Sequence, residues 1–206
     1  MLFRSGAGTR VSGWKEWDDR YGPVLSGEAF ADLPRGRVPV NHFFLPYNLM
    51  WPSDMRNWDT PRYRDEHLAV SRAFRQHFAE KGWTRTLYQI YYNHKEFYGF
   101  FPWNLDEPTR PKDLEALRKL GEILNASFPA NDPVRVDYRL DVGHFHCENL
   151  PGCQHPRATS RTITGTLADY VRLWNIGAPH YFASLGEVRK LRSEEHTSEL
   201  QSHLNL

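Results

Sequence analysis

The chain has 206 residues, enough for one domain with a real core, and its 26 basic and 25 acidic residues leave a formal charge of +1. A surface so balanced gives no electrostatic reason to expect nucleic acid or an anionic membrane as a partner, and no apolar run approaches the roughly 20 residues that span a bilayer. Aromatic residues make up 14 % of the chain, and their rings suit either a large core or the apolar C–H faces of sugars.

Residues 1–32 are rich in Gly and aromatic residues without sustained periodicity, and read as an irregular lead-in from an upstream segment. Residues 1–13 lack the basic end, apolar stretch and small-residue cleavage site of a secretory signal. Residues 38–47, Val-Pro-Val-Asn-His-Phe-Phe-Leu-Pro-Tyr, form a compact apolar run expected to be a buried strand. Residues 48–64, rich in Trp, Pro and Asp, read as loop. A helix is predicted from about Asp65 to Lys81, with Val70, Phe74 and Phe78 recurring at i+4 and Gly82 as its stop.

Residues 84–92 are β-branched and aromatic, hence a strand. An insertion, residues 93–104, separates it from Leu105-Asp106-Glu107-Pro108. Pro111 and Lys112 open a second helix with Leu114, Leu117, Leu120 and Leu124 on one stripe. Residues 134–141 alternate: Val134, Val136, Tyr138 and Leu140 face one way, and Arg135, Asp137, Arg139 and Asp141 the other. After a long loop, residues 169–177 read as a strand and residues 184–191 as the start of a helix.

This order is that of βαβ units around a parallel sheet. A doubly wound sheet covers both faces with apolar helices, whereas a barrel interior has room for a charged ladder near its active end. The expected fold is therefore α/β, a partial (β/α)8 barrel of the TIM type over residues 33–191, with a flavodoxin-like or Rossmann sheet as the alternative. No Gly-x-Gly-x-x-Gly or Walker-type loop follows any strand, which argues against nucleotides, and no motif calls for a cofactor.

In such a barrel, catalytic groups sit on the loops that follow strands. Asp106 and Glu107 occupy that place, and a carboxylate pair suits glycoside cleavage. The alternative for the same residues is a helix start, where acids meet the positive end of the dipole and Pro fits the first turn. Candidate ligand contacts are Asn93 and Lys95 after one strand, Arg139 and Asp141 on the next, and Trp174 and Asn175 on opposite faces of the last. Hydroxyl-rich ligands need such donors and acceptors, and Trp51, Trp58 or Trp103 would supply a stacking face. Arg139 and Asp141 have a structural alternative as an internal ion pair.

His144, His146, Cys147, Cys153 and His155 form a second constellation. A disulfide between the two cysteines, which suits a secreted or periplasmic protein, a tetrahedral metal site and two unmodified thiols all remain open.

Gly82-Trp83, residues 86–92, Asn93-His94-Lys95, Leu105-Asp106-Glu107-Pro108 and Tyr138-Arg139-Leu140-Asp141 resemble the barrel domain of glycoside hydrolase family 123, as do Leu45-Pro46 and Trp51-Pro52. The resemblance runs from about Trp17 to Leu191. It implies a retaining hydrolase of N-acetylhexosaminides in which the substrate's own acetamido oxygen attacks the anomeric carbon. Asp106 would then orient the acetamido group, and Glu107 would act as general acid and then general base. The insertion at residues 93–104 departs from the simpler family pattern. A non-catalytic carbohydrate-binding or scaffold protein on the same barrel is the competing expectation.

Residues 192–202 resemble the conceptual translation of a short-read sequencing adapter. The reading frame is therefore expected to break near Leu191, with residues 192–206 excluded from the fold and the barrel truncated at its C-terminal side. A barrel cut there exposes an edge strand, so the chain by itself is expected to be poorly soluble and inactive.

Overall fold

The computed structural model describes residues 11–142, 156–177 and 185–186. Four strands, β1 (His42–Phe44), β2 (Leu87–Ile90), β3 (Val136–Val142) and β4 (Leu173–Ile176), form a parallel sheet in the order β1-β2-β3-β4. Helices α2 (Pro61–Glu80), α3 (Pro111–Ser127) and α4 (Pro156–Leu167) fall between successive strands, and α1 (Trp14–Ser26) precedes them. The architecture is thus α/β with a parallel sheet. No helix among the described residues is long and apolar enough to cross a membrane.

The chain divides into two compact units, Met1–Tyr91 with Ile123–Asp137 and Tyr92–Glu122 with Tyr138–Leu206. The first is held by aromatic packing. Phe74 and Phe78, one turn apart on α2, are fully buried. Phe74 meets Trp17 edge-on at 5.4 Å, and Phe78 stacks on Tyr88 of β2 at 4.6 Å. Each such pair adds about 0.5–1.5 kcal/mol beyond the area it buries. Thr60 caps α2 by accepting from the Tyr63 amide, and Pro61 fills the first turn, so the helix starts four residues before the expected Asp65. At the other end Gly82 takes φ 72°, and the amides of Gly82 and Trp83 return to the carbonyls of Ala79 and Phe78, the bond pattern that lets a glycine close a helix.

Residues 1–32 are not irregular throughout, because α1 spans thirteen of them. Trp14, Trp17, Tyr21 and Leu25 do carry helical spacing. Gly22 and Pro23 mask it, since both are poor residues for a helix interior. Gly22 has a packing reason: a Cβ there would approach the Trp83 ring to 3.2 Å. A second correction concerns the long loop expected between residues 141 and 169. Part of it is α4, with Ile163 and Leu167 buried.

The leucine stripe of α3 is buried as its periodicity predicts. Gly121 of α3 faces Tyr170 so closely that a Cβ would fall 2.4 Å from that side chain. Strand β3 alternates as expected: Val136, Tyr138, Leu140 and Val142 are buried, while Asp137, Arg139 and Asp141 are part-exposed.

A candidate site around Asp106 and Glu107

Strand β2 ends at Ile90, and the chain then runs through residues 91–110 before α3 begins at Pro111. The far end of this loop returns to its start, because the amides of Leu105 and Asp106 donate to the His94 carbonyl at 2.8 and 3.4 Å. The Asp106 carbonyl in turn accepts from the Asp141 amide at 3.2 Å, which fastens the pair beside the carboxyl end of β3. Asp106 and Glu107 therefore precede α3 by several residues, and the helix-start alternative does not describe them. The acid in the first turn of α3 is Asp113.

The side chains of Lys95, Asp106 and Glu107 meet. The Lys95 ammonium lies 3.0 Å from Asp106 Oδ2 and also donates to Glu107 Oε2. Asp106 Oδ1 accepts from the Glu107 amide at 2.9 Å, so each oxygen of this carboxylate, only 5 % exposed as a residue, has a donor. Two acids this close, with one of them buried, need a cation nearby, and Lys95 supplies it. Burial works against the Lys95 ammonium, but the hydrogen bonds and charges of Glu107 and Asp106 outweigh it and hold its pKa above the ordinary lysine value. Glu107 is the more accessible acid of the two.

Asp113 fixes the loop from beneath. It is fully buried and accepts from the backbone amides of Asn104, Thr109 and Arg110 at 3.0, 3.1 and 2.9 Å. The bond to Arg110 is the reach-back half of a capping box, from the third helical residue to the residue before the helix. The other two carry the same carboxylate into the loop on both sides of Asp106-Glu107. Sequence reading missed Asp113, although an acid following Pro-Lys at a helix start is the signal that marks it.

Arg139 and Asp141 form the internal ion pair that was their structural alternative, two-pronged with bonds of 2.9 and 3.1 Å. Strand register places Asn175 opposite Asp141 and Trp174 opposite Leu140, so Asn175 shares the polar face of the sheet and Trp174 the apolar one. Asn93 is exposed at the exit of β2. Trp103 is buried and stacks on Phe101 at 6.0 Å, which makes it part of the loop's own packing. Trp51 lies in the other unit, edge-on to Tyr47 at 5.3 Å. Trp58 is in that same unit and half-buried.

The sequence candidates thus divide. Lys95, Asp106 and Glu107 are in direct contact; Asp141 joins them through its backbone, Arg139 through Asp141, and Asn175 by register. Trp103 belongs to packing, and Trp174 is half-buried on the other face of β4. His144, His146, Cys147, Cys153 and His155 lie outside the described residues, as do residues 192–206. Among the described residues, no group of three or more His, Cys, Asp or Glu side chains could hold a metal ion. Chemically, the cluster offers a buried carboxylate, a more open one and an ammonium between them. The chain matches no protein-family model, no curated protein and no solved structure.

Proposed function

We propose that the chain is part of a (β/α) barrel glycosidase resembling glycoside hydrolase family 123, acting on N-acetylhexosaminides with substrate assistance. The observation that carries this reading is the Asp106 carbonyl accepting from Asp141 beside the carboxyl end of β3, where barrel enzymes keep their catalytic groups. The strand order β1-β2-β3-β4, with a helix in each connection, adds support, since a singly wound barrel follows chain order and a doubly wound sheet reverses at a switch point.

In this reading the substrate's acetamido oxygen attacks the anomeric carbon while Glu107 protonates the departing glycosidic oxygen. Asp106, fixed by Lys95 and the Glu107 amide, holds the acetamido N–H and offsets the positive charge that builds on the ring formed. Water then attacks the anomeric carbon, its proton goes to the Glu107 carboxylate, and the acetamido group is released with retained configuration. The two acids need different settings for these roles, and Asp106 is the more buried of the two.

The Lys95 clamp favours a second reading, a carbohydrate-binding protein in which Asp106 and Glu107 stay paired with Lys95. Hydrolysis separates the two. The full-length protein is assayed on aryl N-acetyl-β-galactosaminide, N-acetyl-β-glucosaminide and plain β-galactoside, beside Asp106→Asn and Glu107→Gln. Turnover of the acetamido sugars alone, lowered by about 10²–10⁴-fold in Glu107→Gln and strongly in Asp106→Asn, is expected. Sugar binding without turnover would move the assignment to the binding protein.

A further inference from the structure

The loop between Lys95 and Asp106 has a buried foot and an exposed tip of opposite character from most loops. Its residues 97–103, Phe-Tyr-Gly-Phe-Phe-Pro-Trp, carry no charge in seven consecutive positions. Phe101 and Trp103 are buried and stacked on each other, and His94 Nε2 donates to the Phe101 carbonyl at 3.2 Å. Above that foot the rings of Phe97, Tyr98 and Phe100 stand 76 %, 52 % and 89 % exposed. Loop tips are normally polar, and three large exposed rings in four positions lose apolar burial without any return inside the fold.

The tip is nevertheless firmly based. Glu96 is gripped by Arg110 at 2.6 Å and Lys112 at 3.1 Å, and its amide donates to Asn104 Oδ1 at 3.0 Å. Tyr98 sits edge-on to His94 at 5.9 Å and next to Phe97 at 4.4 Å. Phe100 is held at φ 68°, a left-handed conformation that a bulky residue adopts rarely, directly after Gly99 at φ 79°. A strained aromatic presented to solvent from a braced loop is a feature to be explained by what it meets.

We propose that Phe97, Tyr98 and Phe100 form a platform for further sugar units of a neutral glycan chain whose reacting unit lies at Asp106 and Glu107. The substrate is then an oligosaccharide, not a single hexosaminide. Three observations choose this occupant. The loop begins at Lys95 and ends at Asp106-Glu107, whose side chains meet, so the rings stand on the same loop that closes the candidate site. Its tip is uncharged, which suits a neutral chain. The basic residues at its foot, Arg110 and Lys112, are engaged with Glu96 and are not presented as the basic cluster that recruits an anionic membrane. Aromatic faces against sugar C–H faces supply the attraction. The proposal deepens the glycosidase reading and rests on it for the identity of the ligand.

The test measures binding of N-acetylglucosamine, N-acetylgalactosamine and a linear hexamer of each to the full-length protein. The protein is compared with a Phe97→Ala, Tyr98→Ala, Phe100→Ala variant and with a Phe97→Tyr, Phe100→Tyr variant that keeps the rings. Melting curves establish that both variants are folded. One hexamer is expected to bind at least about tenfold more tightly than its monosaccharide, with that ratio falling to near one in the alanine variant and persisting in the tyrosine variant. Equal affinity for hexamer and monosaccharide, or a ratio unchanged by the alanines, overturns the platform and leaves the glycosidase reading standing. Ring-dependent hexamer binding without turnover supports the platform and removes the glycosidase. No glycan binding, together with ring-dependent binding to phosphatidylcholine vesicles, overturns the glycan as occupant.

Discussion

Two loops leave parallel strands of this protein, and they treat aromatic and charged residues in opposite ways. The loop after β1 turns apolar side chains inward: Tyr47, Leu49 and Met55 are buried, and the Tyr47 hydroxyl meets Ser71 of α2 at 2.7 Å. Its acid, Asp54, stays near the surface, capping a short turn through the Arg56 amide. The loop after β2 buries an acid instead, Asp106, leans on a second buried acid, Asp113 of α3, and raises Phe97, Tyr98 and Phe100 into solvent. A loop that serves only to connect minimises its free energy in the first way. The second arrangement costs stability, through desolvated carboxylates and exposed rings, and such costs collect where a protein meets a ligand.

The contrast makes ordered claims about stability, each read from chemical denaturation of folded protein. Phe74→Ala, which empties the ring cluster beneath the first loop, is expected to cost about 3–5 kcal/mol. Asp113→Ala leaves three backbone amides without their carboxylate and is expected to cost about 3 kcal/mol. A cost near zero for Asp113→Ala would show that the second loop is not braced from α3.

Lys95→Met removes the cation between two acids, and part-exposure reduces its expected cost to about 1–2 kcal/mol. Its pH dependence has a definite sign. Because the folded-state pKa of Lys95 lies above the ordinary 10.5, its contribution is complete below about pH 10.5 and is lost as pH rises through the folded value. The wild-type curve should therefore fall toward the Lys95→Met curve only on the alkaline side. The smallest change runs the other way: Phe100→Gly relieves a left-handed backbone and is expected to stabilise the protein by about 1 kcal/mol.

Legibility in the sequence followed periodicity. The leucine stripe of α3, the i+4 apolar residues of α2 and the alternation of β3 repeat over enough residues to report their own structure. Helix α1 escaped because Gly22 and Pro23 interrupt a pattern that tertiary packing against Trp83 sustains. Within the site, Lys95, Asp106 and Glu107 were named from position along the chain, and they meet in space. Asp113 was missed because an acid after Pro-Lys marks only the helix start, and not the amides of Asn104 and Thr109 that the same carboxylate holds in the loop. Trp103, expected to offer a stacking face, is buried, and Phe100, which no pattern singled out, is exposed: composition says that an aromatic is present, and only the path of the loop decides which ring is buried.

The central proposal is that Asp106 and Glu107 serve a reaction in which the substrate supplies its own nucleophile. The most direct measurement compares turnover of aryl N-acetyl-β-hexosaminides with their N-fluoroacetyl and N-trifluoroacetyl counterparts by the full-length protein. Fluorine withdraws electrons from the acetamido oxygen, so the account predicts rates that fall steeply with each fluorine added. Rates that do not respond to fluorine would contradict it, since the attacking atom would then belong to the protein or to water.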